Sequence, residues 1–209
     1  NTDGIDIDSC KDILVTGSTI DVGDDCLAVK AGSGEQGISE GKSSERIVIR
    51  DCHFKQGHGG VVIGSETAGG IYEILVSDCS FDGTDRGVRI KTRRGRGGTV
   101  SRLRFSDLHM KRALCPVAIN MYYRCGAKLE ECSKLFSLEH QPVDALTPHI
   151  HDIEISNLRA QECRASAGFI IGLPESPIEN LRMRNCRIEL SRNDIVAPSE
   201  SEMFEGLPE

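Results

Sequence analysis

The chain has 209 residues, a length suited to one domain with a sizeable core. Aromatic residues make up only 4% and tryptophan is absent, so that core has to be built from Ile, Val, Leu and small residues. A net charge of −7 argues against non-specific nucleic-acid binding, and no apolar run approaches the length of a membrane span.

The opening residues, "NTDGIDIDSC", have no basic leader and no apolar stretch, so they are not a signal peptide. They read as the middle of a domain, and the closing "SEMFEGLPE" has no clear stop. A fragment is expected, and the missing leader then says little about export. Along the chain, two kinds of short alternating segment follow one another. "GIDID" at residue 4 is followed by "DILVTGSTI" at 12, "CLAVK" at 26 and "RIVIRDCHF" at 46. "GVVIG" at 60, "EILVSDCSF" at 73, "GVRIK" at 87 and "RLRFSDLHM" at 102 continue the series. "PVAIN" at 116, "DIEISNLRA" at 152, "GFIIG" at 168 and "NLRMRNCRI" at 180 complete it. Alternation over a few residues is a strand signal, and no helical period recurs.

The longer segments align on Ile13, Ile47, Ile74, Leu103, Ile153 and Leu181, separated by 34, 27, 29, 50 and 28 residues. Each runs apolar, any, apolar, any, and then Asp, Asn or Gly. Short strands at a period near 28 predict an all-β solenoid, a right-handed parallel β-helix that winds once per repeat. Propeller blades would be longer and hold four strands; helical repeats are excluded by the alternation. The chain is expected to be one domain, 1–209, partial at its N-terminal coils. The 50-residue step requires an excursion at about residues 122–148.

The nine cysteines fit no zinc spacing. Cys125 and Cys132 could pair across the excursion. Cys52, Cys79 and Cys186 share one column just after the Asp or Asn, which suits stacked, reduced thiols acting as small hydrophobes.

Stacking brings distant residues together. Aligning the shorter segments on Gly4, Cys26, Gly60, Gly87, Pro116 and Gly168 puts Asp3 beside Asp25, and Asp24 towards His58. Arg89 and Lys91 then share an outward face with Asp6, Asp8 and Lys30, because strand side chains alternate. A lone Asp at a coil corner is ordinarily a turn residue, and a lone Arg-x-Lys a solvated face. Six ionisable groups on three or four rungs are a different matter. Crowded carboxylates drive their pKa values apart, which lets one donate a proton while others accept. That is the requirement of glycoside hydrolysis, with a gap of about 6.5–9.5 Å for a water in the inverting case. Arg and Lys alongside would suit a sugar that is itself an acid.

"NTDGID", "GDDCLAVK", "GHGGVVIGSE" and "RGVRIKT", in this order, resemble the signature segments of glycoside hydrolase family 28, the polygalacturonases. The resemblance covers nearly the whole chain, and the versions "GHGGVVIGSETAGG" and "TDRGVRIKTRRGRGG" resemble bacterial, often exo-acting members. It implies a right-handed parallel β-helix and inverting hydrolysis of α-1,4-galacturonosyl bonds in pectin or polygalacturonate, with no cofactor or metal. Asp24 would be the general acid. Asp3 and Asp25 would hold and activate the water, and His58 would tune the acid or contact substrate. Arg89 and Lys91 would bind a galacturonate carboxylate, and Tyr123, or its neighbour Tyr122, would match a family tyrosine. The partner is then an acidic polysaccharide or oligogalacturonide, with no nucleic acid and no membrane. A secreted or periplasmic setting suits a pectinase, while unpaired thiols suit the cytoplasm. The excursion, leaving from the strand beside "RGVRIK", is expected to overhang the cleft and favour exo attack.

Three other readings stay open. A pectate lyase would hold calcium on Asp3, Asp24 and Asp25. A rhamnogalacturonan- or xylogalacturonan-degrading hydrolase would share the acid and base. A non-catalytic carbohydrate-binding β-helix would not need the full set of Asp3, Asp24, Asp25 and His58.

Overall fold

The computed structural model describes residues 2–202. The first coil contains β1 (Ile5–Asp8), β2 (Lys11–Thr16) and β3 (Thr19–Ile20). The next contains β4 (Asp25–Lys30), helix α1 (Gly34–Glu40), β5 (Ser44–Arg50) and β6 (His53–Lys55). Then follow β7 (Gly59–Gly64), β8 (Ile71–Asp82), β9 (Arg86–Lys91), β10 (Thr99–Lys111) and β11 (Cys115–Asn120). The excursion carries a 3-10 turn, Leu129–Glu131, and the short helix α2 (Cys132–Leu135). The chain ends with β12 (His149–Cys163), β13 (Phe169–Ile171), β14 (Glu179–Arg184), β15 (Arg187–Leu190) and a 3-10 turn, Pro198–Ser201.

All strand ladders are parallel. One sheet stacks β1, β4, β7, β9, β11 and β13; the other stacks β14, β12, β10, β8, β5 and β2, with β3, β6 and β15 on its continuation. The expected right-handed parallel β-helix is therefore present. The six anchors Ile13, Ile47, Ile74, Leu103, Ile153 and Leu181 are direct neighbours on successive coils. Inward residues such as Leu27, Val61, Ile63, Val88 and Ile90 are fully buried and form the core with Ile47, Ile49, Phe54 and Phe105.

The Asp/Asn/Gly column is explained by the backbone. Gly17, Asp51, Asp78, Asp107, Asn157 and Asn185 all have φ between 51° and 62°, the left-handed corner that Gly, Asn and Asp adopt most readily. Asn157 donates to Asp107 at 2.9 Å and Asn185 to Asn157 at 2.7 Å, so the corner is also a side-chain ladder. One residue later, the thiols of Cys52, Cys79 and Cys186 donate across the corner to the carbonyls of Arg50, Ser77 and Arg184. Burial pushes the Cys79 thiol up to about 12. All nine cysteines are free, Cys125 and Cys132 included, so the disulfide considered for the excursion does not form.

One element carried no sequence signal, and one expectation needs correction. Helix α1 occupies the 34-residue interval; at seven residues it is too short to show a period, and Gly41 closes it at φ 59°. The last short strand is displaced by one residue: Phe169 pairs with Ala118 rather than with Val117. β13 has only three residues, none of them buried, so little burial fixes its register.

Candidate active site

The outer face of the six-stranded sheet collects the predicted groups. Parallel stacking sets Asp3 beside Asp25: the Asp25 N–H donates to Asp3 Oδ1 at 3.2 Å. One ligand-capable oxygen from each of Asp3, Asp24 and Asp25 lies within 4.8 Å of the others. That is closer than the gap of about 6.5–9.5 Å expected between acid and base. Asp3 lies one strand spacing from Asp25, and Asp24 is the chain neighbour of Asp25, so the three carboxylates cannot spread far along this axis.

The adjacent carboxylates Asp24 and Asp25 sit in two different environments. Asp24 is a third exposed (33%) and faces His58, whose Nδ1 is 3.8 Å from Asp24 Oδ1. That distance exceeds a hydrogen bond. Asp25 is 3% exposed beneath two cations: Lys91 Nζ is 2.6 Å from Oδ2, and Arg89 Nη1 is 3.5 Å from Oδ1. The doublet therefore has a neutralising partner that sequence order hides, because Lys91 sits two strands away, across β7.

β7 is lined with glycines where it passes between these strands. A Cβ on Gly59 would run into Val62 Cγ2 and lie 3.1 Å from Asp25 Oδ1, so its neighbours would have to give way. Gly64, at φ 94°, pairs with Lys91, and a Cβ there would sit 2.1 Å from the Lys91 carbonyl oxygen. Tyr123 lies under both cations, its ring 5.3 Å from the Arg89 guanidinium and 4.8 Å from Lys91 Nζ. Tyr122 stacks instead on Arg94 at 5.5 Å. Burial, against the opposing field of Arg89, drives the Tyr123 hydroxyl well above its ordinary pKa.

Lys30 bridges the first rung, 3.1 Å from Asp3 Oδ2 and 2.9 Å from Asp6 Oδ1. Burial raises both carboxyls. For Asp3 the Lys30 hydrogen bond and charge, with help from Asp6 and the Asp25 N–H, outweigh it and hold the group below the usual range. For Asp6 burial and the Asp3 charge prevail over Lys30, and its pKa is raised. Sequence alignment had put Lys30 on this face without giving it a partner.

One contact had no sequence signal at all. Glu202, 113 residues beyond Arg89, grips its guanidinium in two hydrogen bonds of 2.5 and 3.0 Å. Beside His58, an open pocket of about 440 Å³ is lined by Gly57, Asp85, Arg112, Arg164 and Asp194. At the cationic end of the same face, the excursion starts at the site itself. The Tyr123 N–H donates to the Thr92 carbonyl, and Arg94 donates to the carbonyls of Leu135, Ser137 and Glu139.

A family model described as Glycosyl hydrolases family 28 matches residues 1–199. A "probable polygalacturonase" of Vitis vinifera is 30% identical over 208 residues, covering 99% of this chain and 40% of that protein. An endo-polygalacturonase of Pectobacterium carotovorum subsp. carotovorum is 39% identical over 123 residues, covering 59% and 29%. Among solved structures, a hyperthermoactive exopolygalacturonase from Thermotoga maritima superposes with a TM-score of 0.75 at 27% identity, covering 92% of this chain and 40% of that one. The chain thus spans 40% or less of the length of these relatives.

Proposed function

The chain belongs to the glycosyl hydrolases family 28, and we propose that it carries the acid–base centre of a polygalacturonase, hydrolysing α-1,4-galacturonosyl bonds. The observation that carries this reading is the split of three crowded carboxyls into one partly exposed group that faces His58 and two that face cations. Asp24, at the cleft surface, is reachable by a glycosidic oxygen and gives it a proton as the C1–O bond breaks. A water held by Asp3 and Asp25 supplies the oxygen that bonds to C1, and its proton passes to that carboxylate pair. His58, too far from Asp24 for a direct hydrogen bond, contacts the sugar. Lys91 and Arg89, backed by Tyr123, receive a uronate carboxylate; each charge-assisted contact is worth about 1.5–3 kcal/mol.

The close spacing favours no gap for a water between acid and base, so the water sits to one side, on Asp3 and Asp25. Both oxygens of Asp25 face cations and both of Asp3 accept hydrogen bonds, which holds the two carboxylates in place so that neither reaches C1 itself, while a water can still bond a remaining lone pair and pass on its proton. Inversion follows. The calcium-dependent lyase reading is disfavoured by the same contacts: ammonium groups stand on the oxygens a divalent ion would need. Proton NMR of polygalacturonate during early turnover tests the reaction, with a saturated β-anomer expected first and no turnover by Asp24→Asn. An α-anomer appearing first, or an unsaturated product absorbing in the ultraviolet, defeats it.

The excursion supports exo attack in the same reading. It leaves directly from Tyr123 and is pinned beside the cationic end of the face by Arg93, Arg94 and Arg96.

A further inference from the structure

Arg89, read above as a uronate contact, is closed off. Its side chain is 1% exposed, and the Glu202 carboxylate that grips it is 0% exposed. Nη2 donates to Oε1 at 2.5 Å and Nε to Oε2 at 3.0 Å. This paired fork is how a guanidinium takes any carboxylate, a sugar acid included. Arg89, Lys91, Asp25 and Glu202 also balance in charge, so an added uronate would find no cation left for it.

The segment that brings Glu202 is laid over the coil rather than woven into it. After β15, Asp194 pairs with Arg164 at 2.7 Å and the Val196 N–H donates to the Arg164 carbonyl at 3.0 Å. The turn Pro198–Ser201 then crosses to the start of β9. There Arg86 donates to the carbonyls of Glu200 and Ser201 at 2.8 and 2.9 Å, and Ser201 bonds Ser166 at 2.7 Å. Residues 191–202 join no sheet.

We propose that residues 198–202 are a strap in which Glu202 stands in for a substrate carboxylate, so that an acidic sugar engages Arg89 by displacing it. The proposal rests on the reading of Arg89 as a uronate contact. The exchange is near balance at Arg89, which keeps a bidentate carboxylate before and after. A neutral sugar gives no such return: lifting the strap for it strands a buried guanidinium without its acid. The strap is therefore a selectivity device as well as a closure.

The test is a binding titration of the full chain with trigalacturonate and with neutral galactotriose, for wild type, Glu202→Gln and the control Glu200→Gln. Glu202→Gln is expected to bind trigalacturonate about tenfold more tightly, as one charged competitor is removed, with Glu200→Gln within about twofold of wild type. Saturating trigalacturonate should also speed backbone amide exchange across 198–202 in the wild type, and galactotriose should not. Glu202→Gln binding no more tightly than wild type overturns the proposal, as does unchanged exchange at saturation. If Glu202→Gln does not fold, the wild-type exchange result decides alone. These are binding readouts: a chain whose strap opens but which never hydrolyses sinks the hydrolase reading and leaves the strap standing. A chain that hydrolyses over a strap that stays protected does the reverse.

Discussion

Lys30 decides how the first rung is charged. With the ammonium in place, Asp3 stays ionised to lower pH than an ordinary carboxyl, while Asp6 beside it holds its proton to higher pH. A depressed carboxyl stabilises the fold above its unfolded pKa, near 3.8, and that contribution is lost as pH falls through the lower folded value. In Lys30→Gln the ammonium's hydrogen bond and charge are lost, while burial and the contacts with Asp6 and the Asp25 N–H remain, so Asp3 protonates at a higher pH than in the wild type. The acid limb of kcat/KM should move to higher pH, with a smaller loss at neutral pH; an acid limb that stays put removes Asp3 from the water-activating pair. Much at this scale could be read in the sequence. Asp3 beside Asp25, and Asp24 towards His58, follow from aligning coils, because parallel stacking turns alignment into contact. Lys91 on Asp25 could not be read so, since that contact spans an intervening strand. Glu202 on Arg89 was beyond any repeat logic, coming from a segment outside the coils.

At the scale of elements, the coil corners explain why the repeat was visible. Asp51, Asp78, Asp107, Asn157 and Asn185 mark a left-handed corner in every turn, so the chain punctuates itself. A second left-handed column, Asp12, Arg46, Glu73, Arg102, Asp152 and Asn180, left no comparable mark. Arg and Glu gain nothing intrinsic there; they are held by stacked pairs such as Arg46 with Asp12 at 2.7 Å and Arg102 with Glu73 at 3.2 Å. The excursion shows the same limit. Its position was legible from the 50-residue step, but its anchoring was not. Arg94 holds it through three carbonyls and pairs with the fully enclosed Glu175 carboxylate at 2.5 Å. Removing one partner of a buried pair costs about 3–5 kcal/mol, so Arg94→Ala should lower stability by that order. The loss should show as a lower Tm and as new protease cuts within 122–148. Unchanged melting and cleavage would mean the excursion is held by something other than Arg94.

For the whole molecule, the question is what shape of substrate the face admits. Carboxylates and His58 lie towards the N-terminal ends of the short strands, Lys91 and Tyr123 at the other end, and the excursion rises from Tyr123. On the proposed reading the excursion is a wall that a polymer threading the face must pass, whereas a chain end need only enter as far as Arg89 and Lys91. The strap across the start of β9 narrows the same face from its other side. Two obstructions on one short face favour attack on chain ends over random internal cleavage. With polygalacturonate, viscosity should therefore fall slowly while mono- or digalacturonate accumulates. A steep viscosity drop at low reducing-end release would mean internal attack and would remove the wall from the argument. Shortening the excursion between Arg124 and Asp144 then separates shape from chemistry. Reaction at Asp24 should survive, and the ratio of viscosity loss to reducing ends should rise, about tenfold if the wall alone excludes internal segments, at roughly 1.4 kcal/mol for each factor of ten.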